Sequence, residues 1–484
     1  MTAMRVLSVT SEVYPVVKTG GLADVAGALP GALAHEGVEV RTLVPGYPQV
    51  LAALEKAEPV LELAGHDPAI PGGPARVLAG TASGLALYVL DAPHLYDRPG
   101  TPYGGPDGAD WPDNLQRFAA LSRVGAMLGR GAAGWAPDVL HAHDWQAGLA
   151  AAYLHFGGGT RPATVLTVHN LAFQGRFPAG QFGTLGLPAQ AWGIDGVEYY
   201  GGIGTLKAGL LLSDRITTVS PAYAAEIATP EGGMGMDGLL RSRGGDLQGI
   251  LNGIDTAVWD PAGDARIAAP YSVSRIKRRP RNKAALQAAA GLALDPGALL
   301  FGAISRLTEQ KGMDLLLAAI PALLDQGAQL VVLGAGDRGL EAGLAAAAAA
   351  HPGQVAVRIG YDEAMAHAIQ AGSDALLVPS RFEPCGLVQM CALRYGALPV
   401  VARVGGLSDT VIDANPMALA AGVATGIAFA PATSSALHAA IRRTAALWRQ
   451  PSDWAQTQRN AMRTEVGWTG PARAYAALFK DAVA

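Results

Sequence analysis

Leu299-Leu300-Phe301-Gly302-Ala303-Ile304-Ser305-Arg306-Leu307-Thr308-Glu309-Gln310-Lys311-Gly312 is a short apolar run that ends in a polar loop closed by glycine. A run of this length suits a strand buried on both faces, and the Leu/Ala-rich stretch from Met313 suits the helix that returns along a parallel sheet. The scheme repeats. Candidate strands at 328–333, 355–359, 374–378 and 398–402 follow in this half, and 5–9, 39–44, 85–90, 139–142, 163–168 and 215–219 stand in the other. Helical patterns such as Leu22–Glu36 and Trp145–His155 lie between them. Between Asp260 and Arg281 the periodicity lapses into Pro261, Pro270 and Pro280 with a basic cluster, so a hinge is expected over 261–281. The expected fold class is α/β: two doubly wound domains, 1–260 and 282–451, facing one another across a cleft.

The chain has 484 residues, enough for two to four domains at roughly 100–200 residues each. Its 50% hydrophobic content supplies ample core and excludes disorder as the main state. With 36 Lys+Arg against 40 Asp+Glu there is no global field to gather polyanions, so neither nucleic acid nor an anionic membrane is an expected partner. Arg275, Lys277, Arg278, Arg279 and Arg281 read as a solvated linker face, and the alanines 345–350 as a plain helix former. Two cysteines, Cys385 and Cys391, make no disulfide framework and suit a reducing compartment. The opening Met1–Arg5 runs straight into a strand with no export signal, and no apolar run reaches the ~20 residues a membrane span needs. A cytoplasmic protein is expected.

One phrase occurs in both halves: Lys18-Thr19-Gly20-Gly21-Leu22-Ala23-Asp24-Val25 and Arg403-Val404-Gly405-Gly406-Leu407-Ser408-Asp409. Paired glycines before a helix let backbone N–H groups approach a ligand, and the helix N-terminus favours an anion. Both turns are therefore expected to hold phosphate. Arg306 and Lys311 straddle the loop after strand 299–304, where two cations can neutralise a diphosphate leaving group. No Asp-x-Asp occurs to hold a metal there. The segment Val378-Pro379-Ser380-Arg381-Phe382-Glu383-Pro384-Cys385-Gly386-Leu387 ends another strand, and proline after Glu383 keeps that carboxylate out of helical geometry, able to accept from sugar hydroxyls or to cap the next helix. Cys385 reads as a small packing residue, with no base beside it. His141 and His143 share one face of a strand, but zinc needs a third ligand that the sequence does not offer. Asp144 and Trp145 follow, a carboxylate and an indole suited to a sugar. His169 ends strand 163–168 beside Asn170, where it can donate to a hydroxyl or be satisfied by backbone.

Taken together, these segments resemble the bacterial glycogen synthases and plant starch synthases. The match runs over nearly the whole chain: the Ser11-Glu12 and Lys18–Val25 start, His94-Leu95-Tyr96-Asp97-Arg98-Pro99-Gly100, His141–Trp145, Thr167–Asn170, Leu206–Gly209, Val219–Pro221, Leu251–Asp255, Ser305–Gly312 and Ser380–Leu387. The resemblance implies a GT-B fold of two Rossmann-like domains and a retaining glucosyltransferase that takes glucose from ADP-glucose and lengthens an α-1,4-glucan from its non-reducing end. It implies that Lys18 contacts the donor's sugar-phosphate, with Gly20 and Gly21 near the distal phosphate. Arg306 and Lys311 would neutralise the leaving ADP, Glu383 would hold the donor glucose, and His169 would read its 6-hydroxyl. Tyr361 would lie near adenine. Asp144, Asn170 and Asn252 would line the sugar site. Cys385, Gly386, Leu387, Gly405 and Gly406 would add substrate contacts, and Tyr96 and Trp145 would touch the acceptor. By the same analogy 452–484 crosses back onto the first domain. No metal and no cofactor are expected.

This chain departs from the wider group of retaining transferases in carrying Cys391 where a second glutamate often stands, and from the family it resembles in Gly201-Gly202-Ile203. Retention by a covalent intermediate and by front-face attack are both open to the sequence. Other readings of the same plan are a sugar-nucleotide epimerase, a dinucleotide oxidoreductase, against which the first turn lacks the G-x-G-x-x-G spacing, and a non-catalytic glucan-binding protein.

Overall fold

In the computed structural model, which describes residues 3–63 and 67–484, the apolar runs become buried parallel strands of two units. Met1 and Thr2, part of the opening read above for an export signal, lie outside the described residues. The second unit, Ile254–Gly467, holds a six-stranded parallel sheet in the spatial order Val355–Ile359, Gln329–Gly334, Leu300–Ile304, Ala375–Val378, Leu398–Ala402, Ile427–Phe429. Chain order reverses between Leu300–Ile304 and Ala375–Val378. At such a reversal the loops leaving the carboxyl ends of the two strands part toward opposite faces and open a crevice. The loop 305–312 and the segment 379–387 are the two loops that leave there.

The first unit, the chain up to Gly253 with Trp468–Ala484, is built the same way on a nine-stranded sheet. Its order is Leu247–Gly249, Arg215–Thr218, Ala163–Val168, Val139–His143, Met4–Val9, Val38–Pro45, Leu85–Asp91, Ala75–Ala82, Glu55–Leu63. Here the reversal falls between Met4–Val9 and Val139–His143, and the loops leaving it carry Lys18–Gly21 and Asp144. The last two strands are antiparallel, an edge hairpin that the sequence pattern does not announce. Residues 55–59 of its outer strand are exposed and three of them are charged, so no apolar run marks them.

The boundary between the units differs from the expected hinge at 261–281. It lies between Gly253 and Ile254, and the proline-rich stretch that follows is part of the second unit. The Tyr271 hydroxyl donates to the Tyr395 carbonyl at 2.6 Å, and Asp264 Oδ2 meets His367 Nδ1 at 2.7 Å and the Tyr395 hydroxyl at 2.6 Å. Arg279, expected in a solvated face, is buried and donates to the carbonyls of Ser373 and Tyr395. The stretch lacks a period because it is built of turns and one short helix, Val273–Arg278, tied down by these side-chain bonds, not because it hangs free. The crossing back also starts later than 452. Helix Pro451–Arg463 stays on the second unit, where Trp454 packs edge-on against Trp448 and Gln458 Nε2 donates to the Gly396 carbonyl at 2.7 Å. Helix Thr469–Val483 packs Tyr475, Leu478 and Phe479 against Val6, Leu29, Val139 and Val165 of the first.

Asp374 shows how the second sheet is tied at its base. Its carboxylate accepts from Lys283 Nζ at 2.7 Å and from the Leu300 N–H at 2.9 Å, with Arg279 Nη1 at 3.7 Å. All three charged side chains are at most 6% exposed. Removing one member of such a group strands the rest, which costs about 3–5 kcal/mol. Asp374→Ala is therefore expected to lower unfolding free energy in urea by that amount; a loss under 1 kcal/mol would show that the two cations find other partners.

Candidate active site

In the second unit the site is built by two loops stapled together. Gly312 sits at φ +67, and a Cβ there would lie 2.0 Å from the Pro379 carbonyl oxygen, so only glycine lets loop 305–312 press onto segment 379–387. The Arg381 N–H donates to the Gln310 carbonyl at 2.8 Å, and its guanidinium forks onto Asp314 with both bonds at 2.6 Å. That bidentate pair holds the Asp314 carboxyl below its usual range. The staple sets Lys311 Nζ between the two oxygens of Glu383, at 2.7 and 2.6 Å, and the Ser380 hydroxyl donates to Oε2 at 2.9 Å. Both charged side chains are shielded, 17% and 8% exposed. Arg306 on the same loop is exposed, and among the described residues its guanidinium forms no ion pair. The loops thus present an ammonium, a carboxylate and an unengaged guanidinium at the carboxyl ends of the reversal strands.

The second glycine turn does a different job from the one expected. A Cβ on Gly405 would lie 2.1 Å from the Glu383 carbonyl oxygen, and one on Gly406 would lie 2.3 Å from that of Cys385. The Gly406 N–H donates to the Glu383 and Pro384 carbonyls, both at 3.1 Å, and those of Leu407 and Ser408 turn back to Val404. These amides are engaged within the protein and are not open to a phosphate. The pair is glycine so that helix Gly405–Thr410 can seat the Glu383 main chain. Cys385 is buried, Gly386 takes φ +73, and Leu387 precedes helix Val388–Tyr395, so all three shape the turn after Glu383. Cys391 is buried within that helix, with no carboxylate at its position. Tyr361 is 85% exposed at the end of strand Val355–Ile359.

The first glycine turn is open. A Cβ on Gly20 or Gly21 would meet nothing within 4 Å, and helix Gly21–Ala34 begins with no side-chain cap. Its free first-turn amides and positive dipole end suit an anion. The loop is held by a motif residue to which the sequence assigns no role: the buried Glu12 carboxylate accepts from the Thr19 N–H, from the Thr19 hydroxyl at 2.6 Å and from the Tyr103 hydroxyl. Burial, then Glu12, pushes the Tyr103 phenol well up. The signal available was a carboxylate three residues past a buried strand end. Lys18 Nζ pairs with Asp24 at 2.7 Å, both partly exposed.

Beside that turn stands a row of histidines. Ser8 Oγ lies 3.1 Å from His143 Nε2, His143 Nδ1 lies 3.0 Å from His169 Nε2, and His141 Nε2 lies 2.6 Å from the Thr167 hydroxyl. Burial drives His143 down to about 3 and His141 and His169 well below their ordinary value, so all three rings are neutral. Their nitrogens bond one another and hydroxyls, and among the described residues no three His, Cys, Asp or Glu side chains converge as metal ligands. Asp144, held at φ +54, accepts the His169 N–H at 2.6 Å and that of Asn170. Burial nevertheless raises its carboxyl to about 7. Asn170 caps its own turn at the Ala172 N–H, and Asn252 Oδ1 is buried without a partner. Trp145 is wedged between Phe118 at 5.0 Å and Phe177 at 5.8 Å, half-buried. Tyr96 corrects the expectation of an acceptor contact. It is 1% exposed and its hydroxyl donates to the Arg117 carbonyl at 2.6 Å, so it is a core residue.

Residues 5–242 match the family model described as the starch synthase catalytic domain, and 287–461 that of glycosyl transferases group 1. Over its full length the chain is 62% identical to the glycogen synthase of Methylocella silvestris, covering 99% of that protein. It is also 62% identical over 479 residues to the glycogen synthase of Acidiphilium cryptum, covering 99% of each. Among solved structures, the catalytic domain of starch synthase IV from Arabidopsis thaliana, bound to ADP and acarbose, superposes over all of both chains with TM-score 0.88 at 30% identity. No helix among the described residues is long and apolar enough to cross a membrane.

Asp144 gives a pH signature. Its acid form persists to about pH 7 in the folded protein but ionises near pH 4 when unfolded, so between those values the folded state binds the extra proton and its stability falls as pH rises. The buried histidines contribute the opposite slope in any variant that keeps them. Asp144→Asn keeps the acceptor oxygen and tolerates φ +54, so its stability relative to the native protein should climb from pH 4 to pH 7 and level off above. A difference independent of pH, measured by urea unfolding, would place Asp144 ionised throughout.

Proposed function

The chain belongs to the glycogen synthase family, glucosyltransferases of glycogen synthesis that share their catalytic domain with the starch synthases, and we propose that its loops 305–312 and 379–387 hold ADP-glucose. The observation that carries this reading is the Lys311–Glu383 pair beside the unengaged Arg306 at the strand reversal. Before the donor arrives each charge neutralises the other, so neither is stranded in a shielded place. On binding, the Lys311 ammonium turns toward the diphosphate with Arg306, and the Glu383 carboxylate accepts from the hydroxyls of the donor glucose. Both groups are preorganised: the Gly312 contact, the Arg381–Asp314 fork and the Ser380 hydroxyl fix them before chemistry begins.

In the reaction the bond from C1 to the phosphate oxygen breaks, a bond from C1 to the 4-hydroxyl oxygen of an α-1,4-glucan end forms with retained configuration, and ADP leaves. Charge flows onto the departing phosphate, where Lys311 and Arg306 stabilise it. Within the first unit His169 is assigned to a sugar 6-hydroxyl, Asp144, Asn170 and Asn252 to the sugar's other polar contacts, Trp145 to the glucan, and Lys18 with the Gly20 and Gly21 amides to an anion; within the second, exposed Tyr361 is assigned to adenine. The Arabidopsis relative solved with ADP and acarbose supports both halves of this reading, a nucleotide and a glucan-like ligand. The two cysteines, Cys385 and Cys391, both buried and not disulfide-bonded, suit a reducing, cytoplasmic setting.

Incubation with radiolabelled ADP-glucose and glycogen is expected to move label into polymer; label released only as free glucose, or none at all, would refute the reading. Lys311→Ala is expected to lower kcat by about 10²–10³-fold, the scale of losing one preorganised charge stabiliser, while ADP affinity changes less than tenfold. Glu383→Gln should lower kcat comparably yet leave ADP bound at least as tightly, because it frees Lys311. Equal losses in kcat and ADP affinity in either variant would contradict this division of roles.

A further inference from the structure

His143 has no part in the reaction as described, yet it sits in the middle of a buried chain that ends on His169. Ser8, His143 and His169 come from three adjacent strands or strand ends, and all are less than a tenth exposed. The contacts run Ser8 Oγ to His143 Nε2 at 3.1 Å and His143 Nδ1 to His169 Nε2 at 3.0 Å, with the two rings stacked at 5.3 Å. A neutral imidazole carries one hydrogen, on one nitrogen or the other, so the direction of a chain of such rings is set at its end.

Here the end is a serine. Among the described residues the Ser8 hydroxyl has no partner but His143, and a buried O–H must place its hydrogen on an acceptor. It therefore donates to His143 Nε2. With that nitrogen accepting, the ring's hydrogen is on Nδ1 and is donated to His169 Nε2. His169 in turn carries its hydrogen on Nδ1, which bonds nothing among the described residues. The reverse order would leave the serine hydrogen without an acceptor. From below, His141 and the aromatic rings of Tyr475 and Phe479 on the C-terminal helix seal the row, at 5.6 and 5.4 Å from His141, and burial keeps every ring uncharged.

We infer that His143 is a positioning residue that fixes His169 as the Nδ1–H tautomer, so that His169 meets the sugar as a hydrogen-bond donor and not as an acceptor. Asp144, the next residue, holds the His169 main chain at 2.6 Å. Two consecutive side chains thus fix the backbone, the ring and the proton of one histidine. A donor at that place selects a substrate oxygen with a lone pair free. The inference rests on the proposed role of His169 toward a sugar hydroxyl.

The test uses full-length protein labelled with ¹⁵N-histidine, the His169 signals being assigned by their loss in His169→Ala. The native spectrum is expected to show His169 protonated on Nδ1 alone, and His143→Leu to show Nε2 protonation or a mixture. In the same variant kcat/KM for ADP-glucose should fall more than tenfold with the melting temperature held within a few degrees, since a wrong tautomer disables a histidine whose ring is still present. His143→Asn, whose amide nitrogen reaches the place of Nδ1, should restore the spectrum and kcat/KM to within about threefold. An unchanged His169 tautomer in His143→Leu, or a native protein with His169 protonated on Nε2, would overturn the inference. If His169→Ala itself keeps full kcat/KM, the assigned role of His169 fails, while the spectra still decide the tautomer.

Discussion

One ammonium held between the two oxygens of one carboxylate organises the second unit. Lys311 and Glu383 stand 72 residues apart in sequence, and each would be costly to leave unpaired where it lies. Their meeting depends on a glycine that lets two loops touch, on an arginine that ties the loops by backbone and by fork, and on a second glycine pair that seats the Glu383 main chain from the other side. A shielded ion pair adds little net stability. What it supplies is position: two opposite charges, held by the Gly312 contact, the Ser380 hydroxyl and the Arg381–Asp314 fork, that the proposed diphosphate-sugar donor separates.

The first unit solves the complementary problem with little net charge. Its histidines, threonines and Asp144 line strand ends, and helix Thr469–Val483 closes over their far side with Tyr475 and Phe479. Dryness is the means. It holds the rings neutral and pushes the Asp144 carboxyl up, so hydrogen bonds and not charges set each ring's orientation. The open glycine turn at Gly20–Gly21, braced by Glu12, adds unengaged amides beside this row.

Much of this was legible in the sequence, for a physical reason. Strands buried on both faces must be apolar throughout, so Leu300–Ile304 and its neighbours announce themselves, and Lys311, Arg306 and Glu383 stand out at their ends. The hairpin 55–63 and 75–82 did not, because its outer strand is exposed. Gly405–Gly406 and Gly20–Gly21 are spelled alike yet differ in what surrounds them: carbonyl oxygens near 2 Å in one case, open space in the other. No local spacing reports that difference. The acceptor contact of Tyr96 rests on the resemblance alone, and nothing local reports that its hydroxyl is taken by the Arg117 carbonyl, 21 residues away. The bracing role of Glu12 is not legible for the same reason, since Tyr103 and Thr19 meet it only through the fold.

The most direct measurement of the account is a crystal structure of the protein grown with ADP. It predicts the diphosphate at loops 305–312 and 379–387, with Lys311 Nζ moved from Glu383 to within about 3 Å of a phosphate oxygen and Arg306 alongside. A nucleotide held elsewhere, or phosphates held by a divalent cation while Lys311 stays clasped by Glu383, would contradict it.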